Sequence, residues 1–304
     1  MRLATISAFA GLFVAFLAAD ASAFCRSSTC RDTATKECKT DEDGCPAEGS
    51  KLYWPTSCVS YAVNRLGTQD LDPEDSRAII RKAFQSWSDV PCPSGGSAKM
   101  TFEERDPVSC KKSEYNKTGS NLNVVLFQDD DWKYRGIDGT LAKTSVTFND
   151  DTGEIYDADI EINAANNTLT ITDDLAKVDF DLQSVVTHEA GHFIGIAHSS
   201  ETSAVMYSSY PEGSLALRTL TLDDVDAVCA IYPPNSDAAC NFDPRGGFSE
   251  SCDGPAASKG TCAISSAPSN VSDRNASSGL WILSFGIILV GGRALRRARG
   301  SGTT

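Results

Sequence analysis

Every histidine of this 304-residue chain, three in all, lies in the stretch HEAGHFIGIAHS, residues 188–199. On a helix, His188 and His192 stand i to i+4, so their imidazoles leave one face a turn apart. That spacing lets two neutral ring nitrogens reach one metal ion at about 2.0–2.1 Å. Glu189 is one position on, off the ligand axis, where its carboxylate reaches a water at the metal without becoming a ligand. Gly195 turns the backbone and brings His198 in from outside the helix. Three nitrogens leave a fourth position open, which marks a catalytic zinc; a structural zinc would close all four with Cys or His. Surface histidines without a common task would be scattered through the chain. The chemistry implied is zinc-assisted hydrolysis, with Glu189 as general base and then acid.

The elements that must position these residues are legible around them. The motif helix is expected from Asp181 to Gly195, closed by the left-handed preference of glycine. Upstream, globular character begins at residues 52–54, and CVSYAVN, residues 58–64, reads as a strand. Asp72-Pro73-Glu74-Asp75 supplies a cap, a proline at N1 and early acids for a helix. That helix carries Ile79, Ile80, Ala83, Phe84 and Trp87 at helical spacing before Val90-Pro91 stops it. Further strands are expected at 99–103, 122–128, 141–148 and 155–163, with a turn at 149–153. Thr221-x-x-Asp224 reads as a capping box for a last helix over 222–231, ended by Tyr232-Pro233-Pro234. One helix, several strands and then the motif helix make an α+β domain of α/β-sandwich type over residues 51–234.

The flanks differ in kind. Residues 1–23 have one early arginine, a short apolar run and an Ala-Ser-Ala ending, which reads as a signal peptide cut before Phe24. Phe24 occupies the place where lipid attachment at Cys25 would want a small residue. All eleven cysteines lie beyond that cut, so export to an oxidising compartment makes disulfides their expected use, the odd count leaving at least one unpaired, bonded to another chain or lost with a processed tail. Residues 24–50 hold four of them among polar residues and are expected to be stapled to the next domain by disulfides. Residues 235–279 are a Ser/Pro/Gly/Cys linker. Residues 280–292, LWILSFGIILVGG, are apolar and run into four arginines, so 280–304 read as a membrane-associated sorting tail. Even with the three residues before it the run is shorter than the roughly 20 residues of a comfortable span.

Forty-one acidic residues against 27 basic ones give a net charge of -14, which repels phosphate backbones and argues against a nucleic-acid partner. Solubility accounts for that acidity; calcium at Asp129–Asp131 or between Asp150 and Glu161 is the second candidate cation.

The pattern His188-Glu189-x-x-His192-x-x-Gly195-x-x-His198 resembles that of the metzincin zinc endopeptidases. Ser199 after the third histidine, and Ala204-Val205-Met206-Tyr207 downstream, resemble the matrixin branch, relatives of the matrix metalloproteinases. The likeness extends over residues 52–233. It implies a metzincin-like domain with a twisted mixed sheet, a long first helix, a zinc-binding helix and a C-terminal helix. It also implies that Met206 sits in a tight turn beneath the zinc. Ser208 stands where astacins and serralysins often place a tyrosine ligand, so no fifth protein ligand is assigned. No histidine remains for the second, structural zinc of matrix metalloproteinases, and no cysteine-switch motif is recognisable; Cys45 is expected in a disulfide. Signal peptide, cysteine-rich start, catalytic domain and short tail together are similar to secreted matrixin-like proteases of myxobacteria, where such tails are read as sorting signals.

The resemblance implies a polypeptide substrate pairing with an exposed edge strand, for which Leu141, Ala142 and Lys143 are the candidates, and an S1' pocket shaped by the 208–219 loop with Tyr210 and Leu215. The expected protein is a monomeric, secreted or surface-associated zinc metalloendopeptidase. The alternative is a non-catalytic, zinc-bearing adhesion protein on the same fold, its cleft covered by the cysteine-rich segment; the intact Glu189 argues against it.

Overall fold

In the computed structural model, which describes residues 23–32, 35–134 and 140–249 with the backbone of 280–285 and 288–289, the expected helices and strands all form. In chain order they are β1 (Cys25–Arg26), β2 (Cys58–Val63), α1 (Pro73–Gln85), β3 (Thr101–Glu104), β4 (Val124–Gln128), β5 (Ala142–Asn149) and β6 (Ile155–Asn163). Then come β7 (Leu169–Thr170), β8 (Phe180–Asp181), α2 (Leu182–Phe193), β9 (Ile196–Ala197), β10 (Ser209–Tyr210), α3 (Leu222–Ile231), β11 (Leu280–Phe285) and β12 (Ile288–Leu289). The signal peptide, apart from Ala23, most of the linker and residues 290–304 lie outside the described residues.

Local sequence explains the helix starts. The Asp72 carboxylate accepts from the Glu74 and Asp75 amides at 2.9 and 3.1 Å, filling two of the donors a helix N-terminus leaves open. At the other end α1 stops at Gln85, and Trp87, expected on the helix, lies just beyond it. There its indole donates to the Thr187 carbonyl of α2 at 2.8 Å, so the ring ties the two helices together.

The sheet runs β11-β5-β6-β4-β2-β3; β3, β2, β4 and β6 are parallel, while β5 is antiparallel to β6 and β11 antiparallel to β5. This is the expected α+β domain with a mixed sheet. Both faces of β6 are covered. Ala158, Ile160 and Ile162 join the main core with α1 and α2. Asp157, Asp159 and Glu161, which alternate with them, are buried as well. A second small core of Ala62, Val108, Cys110, Leu122, Val124 and Leu126 lies on that other side of the sheet. Glu161 finds partners there in Lys133 (2.8 Å), Gln128 (2.7 Å) and the Tyr134 hydroxyl.

The cysteine-rich segment is fastened differently from the sequence expectation. Cys25–Cys45 and Cys30–Cys38 close loops within it and do not bridge to the domain. Its attachment combines backbone pairing, with β1 antiparallel to β9 and the Ser27 amide donating to the Gly195 carbonyl at 2.9 Å, and the ion pair of Arg31 with Asp150 at 2.6 Å. Bridges that close long loops are instead Cys58–Cys240 and Cys92–Cys229, with separations of 182 and 137 residues. In the chain-entropy model each contributes about 5 kcal/mol. No helix among the described residues is long and apolar enough to cross a membrane.

Burial pushes the Asp157 and Asp159 carboxyls well above the usual range, and the Asp159 charge adds to the effect at Asp157. A raised folded-state value means that their contribution to stability is full below the unfolded aspartate value of about 3.9 and is lost as pH rises through the folded one. Asp157→Asn is therefore expected to gain melting temperature over the parent progressively from pH 4 to pH 8; parallel melting curves across that range would contradict the assignment.

Candidate metal centre

Every residue of α2 is buried, so its polar side chains must find partners inside the protein. His188 Nδ1 lies 2.6 Å from the Val205 carbonyl, and His192 Nδ1 lies 2.8 Å from the Ile196 carbonyl. A carbonyl only accepts, so both Nδ1 atoms carry the proton and both Nε2 lone pairs are free to bind. Those Nε2 atoms are 3.1 Å apart, and His198 Nε2 is 3.2 Å from that of His192. Burial and the charge of His198 lower the His188 ring to about 3, and burial lowers the partly buried His198 to about 4. His192 falls well below its usual value for the same first reason. All three rings are thus neutral at neutral pH, the form that ligates metal.

This donor set fits zinc: three imidazole nitrogens converge from one side, with two tautomers fixed by the carbonyls behind them. Among the described residues it is also the one group of three or more His, Cys, Asp or Glu atoms close enough to share an ion. Of the acids proposed for calcium, Asp129 accepts from Thr68 at 2.6 Å and Asp150 pairs with Arg31 at 2.6 Å.

Gly195 has φ of +90°, and a Cβ there would come within 2.7 Å of the Leu52 carbonyl oxygen, so both conformation and space require glycine. That turn carries the chain through β9 to His198. The carbonyls at the end of α2 are capped from a distance: the Trp54 indole donates to Phe193 O, and the Tyr232 hydroxyl to Ile194 O, each at 2.9 Å.

Met206 is fully buried, packed where a side chain at Gly191 would otherwise stand, directly under the helix between its two histidines. The expected turn is held by Asp224, whose carboxylate accepts from the Val205 and Met206 amides at 2.9 and 3.0 Å and from Thr221 N and Oγ1 at 2.8 Å. The capping box of α3 therefore also supports the turn whose Val205 carbonyl orients His188.

Glu189 faces the sheet. Thr144 Oγ1, on β5, lies 2.5 Å from Glu189 Oε2 and 3.1 Å from its carbonyl. Sequence reasoning missed Thr144, since nothing local marks a threonine inside a strand. It also missed Arg218, which grips the α2 cap Asp181 through two bonds of 2.8 and 2.6 Å and so fastens the 208–219 loop to the start of the helix. Leu141 and Ala142 are fully buried, so any peptide contact there is made by backbone alone; the Leu141 carbonyl already accepts from Asn163 at 2.8 Å. Lys143 folds away over the Tyr134 ring at 3.5 Å. Tyr210 is buried, its hydroxyl bonded to the Asp181 amide and the Ser214 carbonyl, while Leu215 remains partly exposed.

Thr144→Val removes one hydrogen bond to the carboxylate and is expected to lower kcat roughly three- to tenfold with KM unchanged, following the usual worth of such a bond. Asp224→Ala strips support from the Met206 turn and is expected to lower zinc affinity at least about tenfold, measured by chelator competition. Unchanged affinity would remove Asp224 from the account.

The matrixin family model matches residues 53–233. Similar curated proteins include metalloendoproteinase 1-MMP of Arabidopsis thaliana, 32% identical over 61% of this chain and 46% of that protein. The interstitial collagenase of Bos taurus is 27% identical over 64% of this chain and 36% of its own, and the neutrophil collagenase of Homo sapiens 27% over 59% and 33%. The chain thus spans less than half the length of each of these relatives. With the matched region enclosing the sheet, the three histidines and the turn at Met206, the chain belongs to the matrixin family.

Proposed function

We propose that the chain is a secreted or surface-associated zinc-dependent endopeptidase in which Glu189 moves the proton. The observation that carries this reading is the convergence of three neutral Nε2 atoms next to a carboxylate held at the sheet by Thr144. The names of its relatives, proteinases and collagenases, support peptide bonds as the substrate class. When bound by His188, His192 and His198, zinc supplies Lewis acidity toward a carbonyl and toward water at neutral pH. Glu189 takes a proton from the attacking water on its carboxylate and returns it to the leaving nitrogen. Thr144 keeps that carboxylate turned toward β5, where an extended peptide pairs through backbone groups. Tyr210 positions the pocket wall from within, and Leu215 meets the side chain that enters. Export by residues 1–23, action as a monomer and membrane association through the 280–304 tail complete the reading.

Activity on unfolded casein is expected from the chain beginning at Phe24, and a chelator is expected to abolish it. Glu189→Gln should retain one zinc per chain by elemental analysis while losing at least about 100-fold in rate, the usual contribution of a general base. Zinc retention with activity within tenfold of the parent would contradict the role given to Glu189.

A further inference from the structure

The outer edge of β5 is occupied by the chain's own C-terminal region. β11 pairs antiparallel with β5 over six residues, from Leu280 opposite Asn149 to Phe285 opposite Thr144. Two residues later β12 pairs in parallel with β10, Ile288 opposite Ser209 and Leu289 opposite Tyr210. Residues 280–285 and 288–289 thus pair with two elements that lie far apart in the sequence. Thr144, at the end of the first pairing, is the residue whose hydroxyl touches Glu189. Ser209, at the start of the second, follows closely on the turn at Met206. Each pairing thus includes a residue close to the histidine group, Thr144 through Glu189 and Ser209 through the turn at Met206.

The sequence suits that place. LWILSF is uncharged, lacks proline and is rich in residues that favour strands, so it can add to an open edge by backbone bonds alone. It is tethered: residues 250–279 separate it from Ser249, whose amide bonds to the Asn121 carbonyl on the domain, a length that gives an effective concentration on the order of millimolar. Free peptides at micromolar levels compete poorly against that.

We propose that residues 280–285 and 288–289 are an intramolecular ligand of the peptide cleft, so that the full chain holds its own site closed until this segment leaves. The inference rests on the reading of the β5 edge as the place where a peptide binds. It also gives the apolar run two destinations, the cleft and the membrane suggested by its sequence, which one copy of the segment fills one at a time.

The test compares three proteins that begin at Phe24: the full chain, the full chain with Ile282→Pro and Leu283→Pro, and a chain stopped after residue 279. Deuterium uptake at residues 142–149 is measured in a Glu189→Gln background, where cleavage does not intervene. Edge amides of β5 should exchange at least about tenfold more slowly in the full chain than in the other two, and independently of protein concentration. Casein or fluorogenic-peptide hydrolysis in the Glu189 background should show KM at least about fivefold lower once the segment is disabled, and a synthetic peptide of residues 280–289 should inhibit the shortened chain competitively. Equal exchange in all three proteins overturns the proposal, as does active enzyme whose KM ignores the proline substitutions. Protection that grows with concentration assigns the strand to a second copy and overturns it too. Slow exchange in the full chain with no hydrolysis by any version upholds the docking and contradicts the endopeptidase reading instead.

Discussion

The bonds from His188 Nδ1 to Val205 and from His192 Nδ1 to Ile196 are the constraint on which the rest of the structure depends. A buried imidazole left without a partner for its N–H costs about 1–3 kcal/mol and is free to present the wrong nitrogen. The two carbonyls come from either side of His198, so the loop that delivers the third ring also fixes the first two. Gly195 makes that loop possible, and Asp224 holds its far end through the Val205 and Met206 amides. Support for the centre therefore reaches α3, whose sequence lies well outside the histidine motif.

A second set of contacts ties this group to the sheet. Phe193, the last residue of α2, packs among Trp54, Phe84 and Phe102 at centroid separations of 5.6, 5.3 and 6.1 Å. Trp54 also donates to its carbonyl, so the helix end is both packed and capped. At the other end Arg218 closes on Asp181, and breaking such a pair from one side typically costs about 3–5 kcal/mol. The helix is thereby fixed at both ends, and the 208–219 loop is carried with it. Thr144 completes the frame by linking Glu189 to β5, which ties the end of that strand to the helix that carries the histidines.

Much of this was legible because it is local. Histidine spacing, the Asp72-Pro73 helix start, the glycine turn and the capping box at Thr221 each depend on a few neighbouring residues, and each forms at or within a residue or two of its expected place. The partners that lie far apart in sequence were not legible. Thr144 meets Glu189 across 45 residues, and Arg218 meets Asp181 across 37. The alternation of acids with apolar residues in β6 marks a strand but not what covers its acidic face, where a second core lies and leaves two carboxyls raised by burial. Two-residue strands such as β1, β9 and β10 are too short to leave a periodic signal. The apolar run at 280–292 has the composition of a membrane segment and of an edge strand alike, and composition does not distinguish them.

The central claim is that one zinc is held by the Nε2 atoms of His188, His192 and His198 in a site built ready for it. X-ray absorption at the zinc edge on the protein loaded with one equivalent tests this most directly. The account predicts three nitrogen scatterers at about 2.0–2.1 Å with imidazole outer-shell features and no sulfur. A sulfur scatterer near 2.3 Å, or loss of fewer than one imidazole when His198 is replaced by Ala, would contradict it.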